Sequence, residues 1–464
     1  MQFSPTLWLI YLSLSSLCVT LAAQVIHKDV AIIGGGAAGV WAATLLEQMG
    51  KSFVVVEKEA HFGGHTETYT IPGTNTTLDY GVQGYSPLVN GSYDVIERFF
   101  GAYDVPISYI HRTETSGGTP RYFDFRTYQE LKNFTYSTDL SKYTTQVDKY
   151  PYLNFQVQTP SPIPSDLTLS FGDFVKKYSL QSSVFDIYYQ AEGLGDTLSL
   201  PAYYVLREMN AAHLLALQPS SPGLLVTTAG DNQEPYIKAQ AKFGTDALVG
   251  SMVQSVHRND SGVELTVNTP SGPLTIRTPK LLVTIPPTTS NMEPFDLDSS
   301  ESNLFSKFAY SGWFVALVNI TGLPVNASFQ NAGTDTLYNL PQLPAVYQIT
   351  TTKVSGVYLV RYGSAGYMST DDVRADIVSS IEKIRAAVTS NAGYLAAPSI
   401  LAFGNHLPYT LHVTSADLAA GFDNQLWGLQ GHRSTWYSGA TFTGSSSTDV
   451  WNATQAIVAS MLAA

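Results

Sequence analysis

The chain has 464 residues, 44% of them hydrophobic, and it carries 25 Lys and Arg against 37 Asp and Glu. This length exceeds one ordinary domain, and the hydrophobic share is enough to build a large core. The formal net charge of −12 argues against a nucleic-acid partner, because phosphate backbones are bound by basic patches. We therefore expect one globular protein of interleaved domains that binds no nucleic acid, and we predict no metal site.

The first 23 residues form an apolar segment with interspersed Ser and Thr that ends in small residues. An apolar run before a small-residue cleavage site is typical of a secretory signal peptide, although the usual positive charges are missing here. The alternative is an uncleaved membrane anchor, because the apolar run nearly reaches spanning length. We predict a cleaved signal peptide over 1–23 and a mature chain without a membrane span, located outside the cell or in an endomembrane lumen.

Asparagine sequons and the cysteine content fit the same compartment. The predicted glycosylation sites are Asn75, Asn90, Asn133, Asn259, Asn319, Asn326 and Asn452. Asn452 is the weakest of these because it falls in a predicted helix. The only cysteine is Cys18, inside the predicted signal peptide, so we expect no disulfide and no cysteine chemistry in the mature chain.

A cofactor-binding pattern occupies residues 30–57, where a strand (30–33), a glycine turn, a helix (40–49), a strand (53–56) and an acid follow in order. The glycines allow a tight turn, a close approach of the backbone to a pyrophosphate, and close packing of helix on strand. The helix start offers N–H groups to phosphates, and Glu57 can accept hydrogen bonds from ribose hydroxyls. The predicted cofactor contacts are Gly34, Gly36, Ala37, Ala38, Gly39, Glu57 and Lys58.

Later segments favour FAD over NAD. The glycine pair Gly63-Gly64, separated from Glu57 by five residues, resembles the flavoprotein extension of this fold. The segment Leu78–Gly81, the apolar strand Lys280–Pro287 and the segment Thr435–Ala440 before a closing helix are similar to those of flavin amine oxidases. The resemblance implies further FAD contacts at Gly63, Gly64, His65, Val253, Gly439 and Ala440.

This resemblance to the flavin amine oxidase superfamily implies an α/β fold. We expect a Rossmann-like FAD-binding domain of the glutathione-reductase or amine-oxidase type (24–85, 223–292 and 399–464), interleaved with an α+β substrate domain (86–222 and 293–398). Within these ranges the apolar pattern predicts a long strand over 308–318, an amphipathic helix over 370–389 and a closing helix over 449–462.

One departure from the superfamily bears on the substrate. Ordinary amine oxidases carry a lysine beside the flavin on a strand that corresponds here to Ala309–Ala316, which contains no lysine. Lys307 lies slightly early and Lys353 too late, and a rough alignment places Val315 at that position. The combination of motifs most resembles the fungal beta-cyclopiazonate dehydrogenase family, whose members are FAD-dependent oxidoreductases of secondary metabolism. The resemblance implies hydride removal from an allylic or benzylic carbon of a large apolar substrate, with desaturation or ring closure.

The role of His65 stays open at this stage. A flavin linked through histidine is implied for the founding member of that family, and amine oxidases usually have arginine after the glycine pair. His65 is therefore either a covalent FAD anchor or a hydrogen-bonding neighbour of the cofactor. Three other histidines are alternative anchors: His406, His412 and His432.

On the substrate side, the many Tyr and Phe residues suit a large apolar ligand, of terpenoid or prenylated type, although most of them are expected to be ordinary core. The candidate catalytic residues are Trp436, Tyr437, Glu192 and His432, with the flavin as hydride acceptor and molecular oxygen as the expected electron acceptor. The alternatives are a prenylcysteine-oxidase-like or amine-oxidase-like FAD oxidase, a flavin-dependent isomerase, and a non-catalytic protein with the same fold.

Overall fold

The computed structural model describes residues 24–110, 118–154, 159–218, 221, 223–390, 393 and 395–464. The predicted signal peptide, with Cys18, lies outside the described residues. The strands are β1 (Gln24–His27), β2 (Val30–Ile33), β3 (Phe53–Val56), β4 (Thr68–Thr70), β5 (Thr77–Asp79), β6 (Ile107–Ile110), β7 (Thr119–Asp124), β8 (Gln129–Glu130), β9 (Leu224–Thr227), β10 (Ala247–Leu248), β11 (Met252–Asn259), β12 (Gly262–Thr269), β13 (Gly272–Thr278), β14 (Lys280–Val283), β15 (Ala309–Tyr310), β16 (Gly312–Asn319), β17 (Ala327–Asn331), β18 (Ala345–Thr351), β19 (Val357–Ser364), β20 (Ser399–Asn405), β21 (Leu411–His412) and β22 (Thr435–Tyr437).

The α-helices alternate with these strands. They span Ala37–Gln48, Asp94–Gly101, Ser141–Val147, Phe171–Tyr178, Val184–Gln190, Ala202–Glu208, Ala211–Ala216, Glu234–Phe243, Ser299–Phe305, Thr370–Val388, Ser415–Ala419, Phe422–Trp427, Ala440–Thr443 and Ser447–Ala463. Within the described ranges, none of the helices combines the length and the apolarity that a membrane span requires.

A parallel five-stranded sheet in the order β10-β3-β2-β14-β22 forms the first layer. All residues of β2 and β3 are buried, as expected for strands that are covered on both faces. One face carries the helices Ala37–Gln48 and Ser447–Ala463, whose side chains share a core with Val30 and Ile32. The other face packs Ala31 and Ile33 into a larger core that includes strands β11 to β13. This arrangement is the Rossmann-like domain that the sequence predicts.

A seven-stranded sheet in the order β20-β16-β19-β18-β17-β7-β8 forms the second layer. Its outer face is covered by the helix Thr370–Val388, which buries Val373, Ile377 and Ile381 against Phe314 and its neighbours. Its inner face carries alternate residues of β16, among them Trp313 and Val315, into the large core.

Several predicted elements are confirmed with small shifts at their ends, and one is divided. The helices predicted over 370–389 and 449–462 are observed at Thr370–Val388 and Ser447–Ala463. The strand predicted over 308–318 is interrupted at Ser311, because Ser311 bonds with Thr410 and Gly193 instead of continuing the ladder. The sheet strand therefore begins at Gly312.

The predicted domain limits stay predictions. Two segments pack in a different layer from the one that their predicted domain would suggest. The helix Asp94–Gly101 lies in the range predicted for the substrate domain, yet its Phe99 packs against Trp41 and Trp451 of the parallel-sheet layer. Conversely, β20 lies in the range predicted for the FAD-binding domain and pairs with β16 of the seven-stranded sheet.

Six of the predicted glycosylation sites are exposed: Asn75, Asn90, Asn133, Asn259, Asn319 and Asn326. Asn452 is half-buried in the closing helix. Their glycosylation stays a prediction, and the exposure of the six is what attachment of a sugar requires.

Candidate functional site

The glycine turn after β2 brings the helix Ala37–Gln48 close to the strand end. Gly34 has φ +108°, in the region that favours glycine, and its N–H donates to Val56 O at 2.9 Å. A Cβ at Gly39 would overlap Gly34 O. These two glycines therefore allow the turn and the close packing of the helix that follows.

Two glycine segments face each other at the N-terminus of that helix. A Cβ at Gly36 would lie 3.5 Å from Gly64 Cα, and Gly63 N–H donates to Gly35 O at 3.0 Å. Gly36 is the residue before the helix and provides no side-chain cap, so the N–H groups of the first turn, which includes Ala37 and Ala38, have no capping side chain. This surface of bare backbone with a positive helix end fits a pyrophosphate.

Glu57 ends β3 and is buried beside the glycine turn. Its Oε2 accepts from Gly35 N–H at 2.6 Å, and its Oε1 accepts from Glu59 N–H at 2.8 Å. Its backbone carbonyl accepts from Ser251 N–H at 2.8 Å, which brings the half-buried Val253 of β11 close to the same loop. The Lys58 side chain points to solvent beside Glu59, so only its backbone belongs to this surface.

A third segment closes the cleft after β22. Ser438 N–H donates to Val283 O at 3.0 Å, and Gly439, with φ +108°, turns the chain so that a short helix begins at Ala440. The three segments are contributed by the beginning and the end of the chain and meet at the carboxyl ends of parallel strands, where such sheets bind ligands. The residues present fit FAD, with Glu57 placed for a ribose and the glycines for the phosphates.

A cavity lies beside this cleft. Its lining residues come from the segment after the glycine pair, the helix Ala202–Glu208, the chain around β21 and the segment after Gly439: His65, Tyr204, Arg207, Glu208, Tyr409, Thr410, Leu411, Ala440, Gly444 and Ser445. A larger and more open groove lies around His27, Asp29 and Ser52, and it contains none of the glycine segments. We therefore take the cavity at His65 and Ala440 as the candidate active site.

The imidazole of His65 is held by other rings. It stacks on His406 with the ring centroids 4.2 Å apart, and Tyr409 lies at 5.5 Å. Water reaches the His65 side chain through the cavity, but protein surrounds the cavity. Burial and the neighbouring His406 lower the pKa of His65 to about 3, so its ring is neutral at physiological pH. A neutral ring can both donate and accept a hydrogen bond.

Glu67 and His406 form a buried pair; Glu67 was not among the predicted site residues, and His406 was named only as an alternative anchor for FAD. Glu67 Oε2 lies 3.0 Å from His406 Nε2, and a Cβ at Gly404 would overlap the same oxygen. Burial raises the pKa of Glu67 to about 7 and lowers the pKa of His406 to about 4. The order Gly-Gly-His-Thr-Glu was visible in the sequence, but the partner of Glu67 lies more than three hundred residues away, and no local pattern indicates it.

Aromatic rings cover the inner face of the seven-stranded sheet. Trp313 meets Tyr347 edge-on at 5.0 Å, and Tyr347 stacks on Tyr188 at 4.9 Å. Val315 follows on the same face of β16, at the position assigned to the amine-oxidase lysine. Lys307, the nearest lysine in sequence, forms an ion pair with Asp417 at 2.9 Å. The inner face of this sheet is thus aromatic and aliphatic around Val315, and its Trp313 ring lies 6.2 Å from the ring of Tyr409 in the cavity lining.

The structure places Trp436 and Tyr437 outside the lining of the candidate cavity, so their role as walls of the flavin site stays a prediction. Both side chains are almost fully buried within the layers of the parallel sheet. The Tyr437 hydroxyl donates to Glu301 at 3.1 Å, and Lys280 lies over the Trp436 ring. Both faces of a parallel strand are covered, so the residues that reach the cleft are those after the strand end, Ser438 to Ala440.

His432 also lies outside the lining of the candidate cavity, and its role as a catalytic base stays a prediction. Its Nε2 lies 2.6 Å from Asp298 Oδ2, beside a buried pair in which Arg258 donates to both carboxylate oxygens of Glu301 at 2.7 and 2.8 Å. Asp298, Glu301 and His432 lie within 4.8 Å of one another, but hydrogen bonds from Arg258, the helix start and His432 already occupy these carboxylates. This network stabilises the junction of β11, β22 and the helix Ser299–Phe305.

The glycine turn, Glu57, the glycine pair and the cavity opposite them define the class: an FAD-dependent oxidoreductase with an amine-oxidase-like fold. A family model described as an NAD(P)-binding Rossmann-like domain matches residues 32–103. The chain is 38% identical over 440 residues to the FAD-dependent oxidoreductase pigF of Monascus ruber, covering 94% of this chain and 92% of the relative. It is 31% identical over 446 residues to the beta-cyclopiazonate dehydrogenase of Aspergillus oryzae, covering 95% and 94%. The chain belongs to this family of fungal FAD-dependent oxidoreductases.

Solved structures show the same fold at low sequence identity. The fatty acid isomerase from P. acnes that produces CLA superposes with a TM-score of 0.71 at 19% identity, covering 93% of this chain and 98% of that protein. A putrescine oxidase variant superposes with a TM-score of 0.65 at 16% identity, covering 95% and 99%. These structures confirm the expected fold class, and the family relatives confirm FAD as the cofactor.

Proposed function

We propose that this protein removes a hydride from an allylic or benzylic carbon of a large apolar substrate, of terpenoid or prenylated type, in fungal secondary metabolism. The observation that carries the proposal is the aromatic and aliphatic inner face of the seven-stranded sheet around Trp313 and Val315, where the Trp313 ring lies 6.2 Å from the ring of Tyr409 in the cavity lining. Such a wall holds an isoprenoid or a polycycle without polar pairing. One relative is named for its action on beta-cyclopiazonate, which supports a role in secondary metabolism.

The roles of the chain in this reaction are binding, orientation and exclusion of water. When bound, FAD would accept the hydride, and molecular oxygen would reoxidise it with release of hydrogen peroxide. The Tyr409 ring in the cavity lining, with the buried rings of Trp313 and Tyr347 behind it, excludes water and orients the substrate toward the cofactor cleft. Glu67 can hold or release a proton at Oε2 near neutral pH, which serves a desaturation in which a proton also leaves. Glu192, a predicted base, lies on the inner face of the sheet.

The experiment compares hydrogen peroxide with product mass. The purified holoenzyme is incubated in air with prenylated aromatic compounds, polyprenyl compounds and simple amines, and the Gly36→Ala variant serves as the control without cofactor. We expect only the prenylated compounds to react. Each should give a product that has lost two hydrogen atoms, together with an equimolar amount of hydrogen peroxide. Peroxide from simple amines would assign an amine oxidase, and a product of unchanged mass would assign an isomerase; either would overturn the proposal.

For His65 we propose a non-covalent contact with FAD. Its ring stacks on His406 and lies 5.5 Å from Tyr409, and it lines the cavity next to the glycine pair, where a hydrogen bond to the cofactor can form. The holoenzyme is precipitated with acid, beside His65→Ala and the exposed control His257→Ala. Yellow colour in the supernatant of the wild-type protein is expected. A yellow pellet that His65→Ala turns colourless would instead make His65 a covalent anchor.

We also propose that the mature chain enters the secretory pathway after loss of residues 1–23. The apolar segment and the exposed sequons support this proposal. Expression in a fungal host, followed by N-terminal sequencing and removal of N-linked sugars, tests it. A protein that keeps residue 1 and shows no mass change on sugar removal would contradict the proposal.

A further inference from the structure

A polar cluster lies on the otherwise apolar inner face of the seven-stranded sheet. Glu192 Oε1 accepts from Gln348 Nε2 at 3.1 Å, and the same oxygen lies 3.3 Å from Arg361 Nε. These three side chains come from three separate segments: the chain after the helix Val184–Gln190, β18 and β19. Burying an ion pair in an aromatic wall is costly unless its remaining hydrogen-bonding groups find partners.

The cluster keeps unused hydrogen-bonding capacity. The Arg361 side chain is 14% exposed and the Glu192 side chain is 33% exposed. Among the described residues, the terminal nitrogens of Arg361 and the Oε2 of Glu192 form no hydrogen bond with protein. A guanidinium has five N–H donors in a fixed plane, so most of its donors are free to bind a ligand.

The cluster lies on the sheet face that leads toward the His65 end of the cavity. On the inner face, Val315 of β16 is opposite Arg361 of β19 on one side and opposite Gly404 of β20 on the other. Glu67 lies over Gly404. Directly opposite residues in an antiparallel sheet are about 5 Å apart, so Arg361 lies about 10 Å across the sheet from the Glu67 position.

The segment that carries Glu192 also contacts a residue that lines the cavity. A Cβ at Gly193 would overlap the ring of Tyr409, and Tyr409 lies 5.5 Å from His65. A ligand that reaches from the His65 end to Arg361 therefore passes over Val315 and the aromatic wall.

We propose that Arg361, Glu192 and Gln348 bind the polar end of an otherwise apolar substrate, namely a carbonyl oxygen with a neighbouring N–H or O–H, as in an amide or an enolised 1,3-dicarbonyl. Arg361 and Glu192 together are neutral, so they offer donors and an acceptor side by side without a net charge. A carboxylate would meet the negative Glu192, and an ammonium would meet Arg361. This inference rests on the proposed function, since it names the class of substrate for the same cavity.

The test uses the yellow holoenzyme and three probes with the same apolar chain: decanamide, decanoate and decylamine. Binding is followed as a change in flavin absorbance, which gives a Kd for each probe. We expect decanamide to bind best, Arg361→Gln to weaken it about tenfold or more, and Arg361→Lys to restore part of the loss. Glu192→Gln removes the negative charge and is expected to shift the preference toward decanoate.

Arg277→Gln, at an exposed ion pair with Glu264, is the matched control and should leave all three Kd values unchanged. Equal Kd values for decanamide in wild type and Arg361→Gln would overturn the inference, as would a yellow protein whose absorbance none of the probes changes. Failure of the proposed function has a different signature, because the cluster can bind decanamide in a protein that releases no peroxide with prenylated substrates.

Discussion

Glu67 offers a quantitative test of the electrostatics inside the cavity. In the unfolded chain its carboxyl ionises near its ordinary pKa of 4.5, and burial raises the pKa to about 7 in the folded protein. Between these pH values the folded protein keeps a proton that the unfolded chain has released. Stability therefore falls as pH rises through this window and is constant above it. The difference of about 2.5 pKa units corresponds to about 3 kcal/mol.

The substitution Glu67→Gln keeps the shape and one acceptor for His406 but cannot ionise. Relative to wild type, we expect the variant to gain about 3 kcal/mol between pH 4.5 and pH 8, which is about 3 °C in Tm for a chain of this length. Thermal unfolding is measured at both pH values with saturating FAD, and Glu264→Gln is the control for loss of an exposed carboxylate. Asp79 and Asp449 also have pKa values raised to about 7 by burial, but they are present in both proteins and cancel in the difference. A Tm difference that is the same at pH 4.5 and pH 8 would refute the reasoning.

The remaining predictions concern the cofactor cleft and the buried ion pair. Gly36→Ala should give a folded protein, because the added Cβ meets Gly64 Cα only at ordinary contact distance, and circular dichroism tests this. The same protein should be colourless, because the Cβ fills the space for the pyrophosphate, and its flavin content tests this. Gly39→Ala should instead reduce soluble yield and Tm, since its Cβ overlaps Gly34 O, and a soluble yellow protein would contradict this. Glu301→Gln should cost about 1–3 kcal/mol, because the buried Arg258 loses one of its two carboxylate partners and keeps only Asp296, and Arg258→Met with Glu301→Leu should recover most of that loss, both read from Tm.

The cofactor half of the fold could be predicted from the sequence because its signals are local. A buried strand, a turn with Gly34 at positive φ and a helix lie within about twenty residues, and each has a composition that follows from its backbone geometry. The closing helix was predicted for the same reason, from the 3.6-residue period of its apolar side chains. The break at Ser311 could not be predicted, because the carbonyl of Gly193, which Ser311 bonds, is distant in the sequence.

The candidate site was predicted only where the backbone performs the function. Gly36, Gly64 and Glu57 meet because strand order brings them together, and the pattern of the family contains that order. Tyr437 was assigned to the flavin wall from its place before the last glycine turn, but its hydroxyl lies with Arg258 and Glu301. Successive side chains of a strand point to opposite faces of the sheet, so the position of Tyr437 in β22 decides on which face its ring lies. The sequence alone does not show which of these faces is next to the flavin cleft.

Position 315 carries valine where a lysine would be expected in an amine oxidase, and this difference has a consequence across the sheet. A lysine at position 315 would lie directly opposite Arg361, and two cations at about 5 Å on a buried face would repel each other. With Val315 there, Arg361 needs only Glu192 as its counter-ion, and the positive charge of this face lies one strand away from the amine-oxidase position. In the proposed binding mode, the polar group of the substrate is held away from Val315, while the carbon beside it lies against an apolar surface. Val315→Lys should therefore weaken binding of decanamide, because the new ammonium repels Arg361 and competes with it for Glu192, and it should not create an amine oxidase, since the polar cluster still occupies β18 and β19.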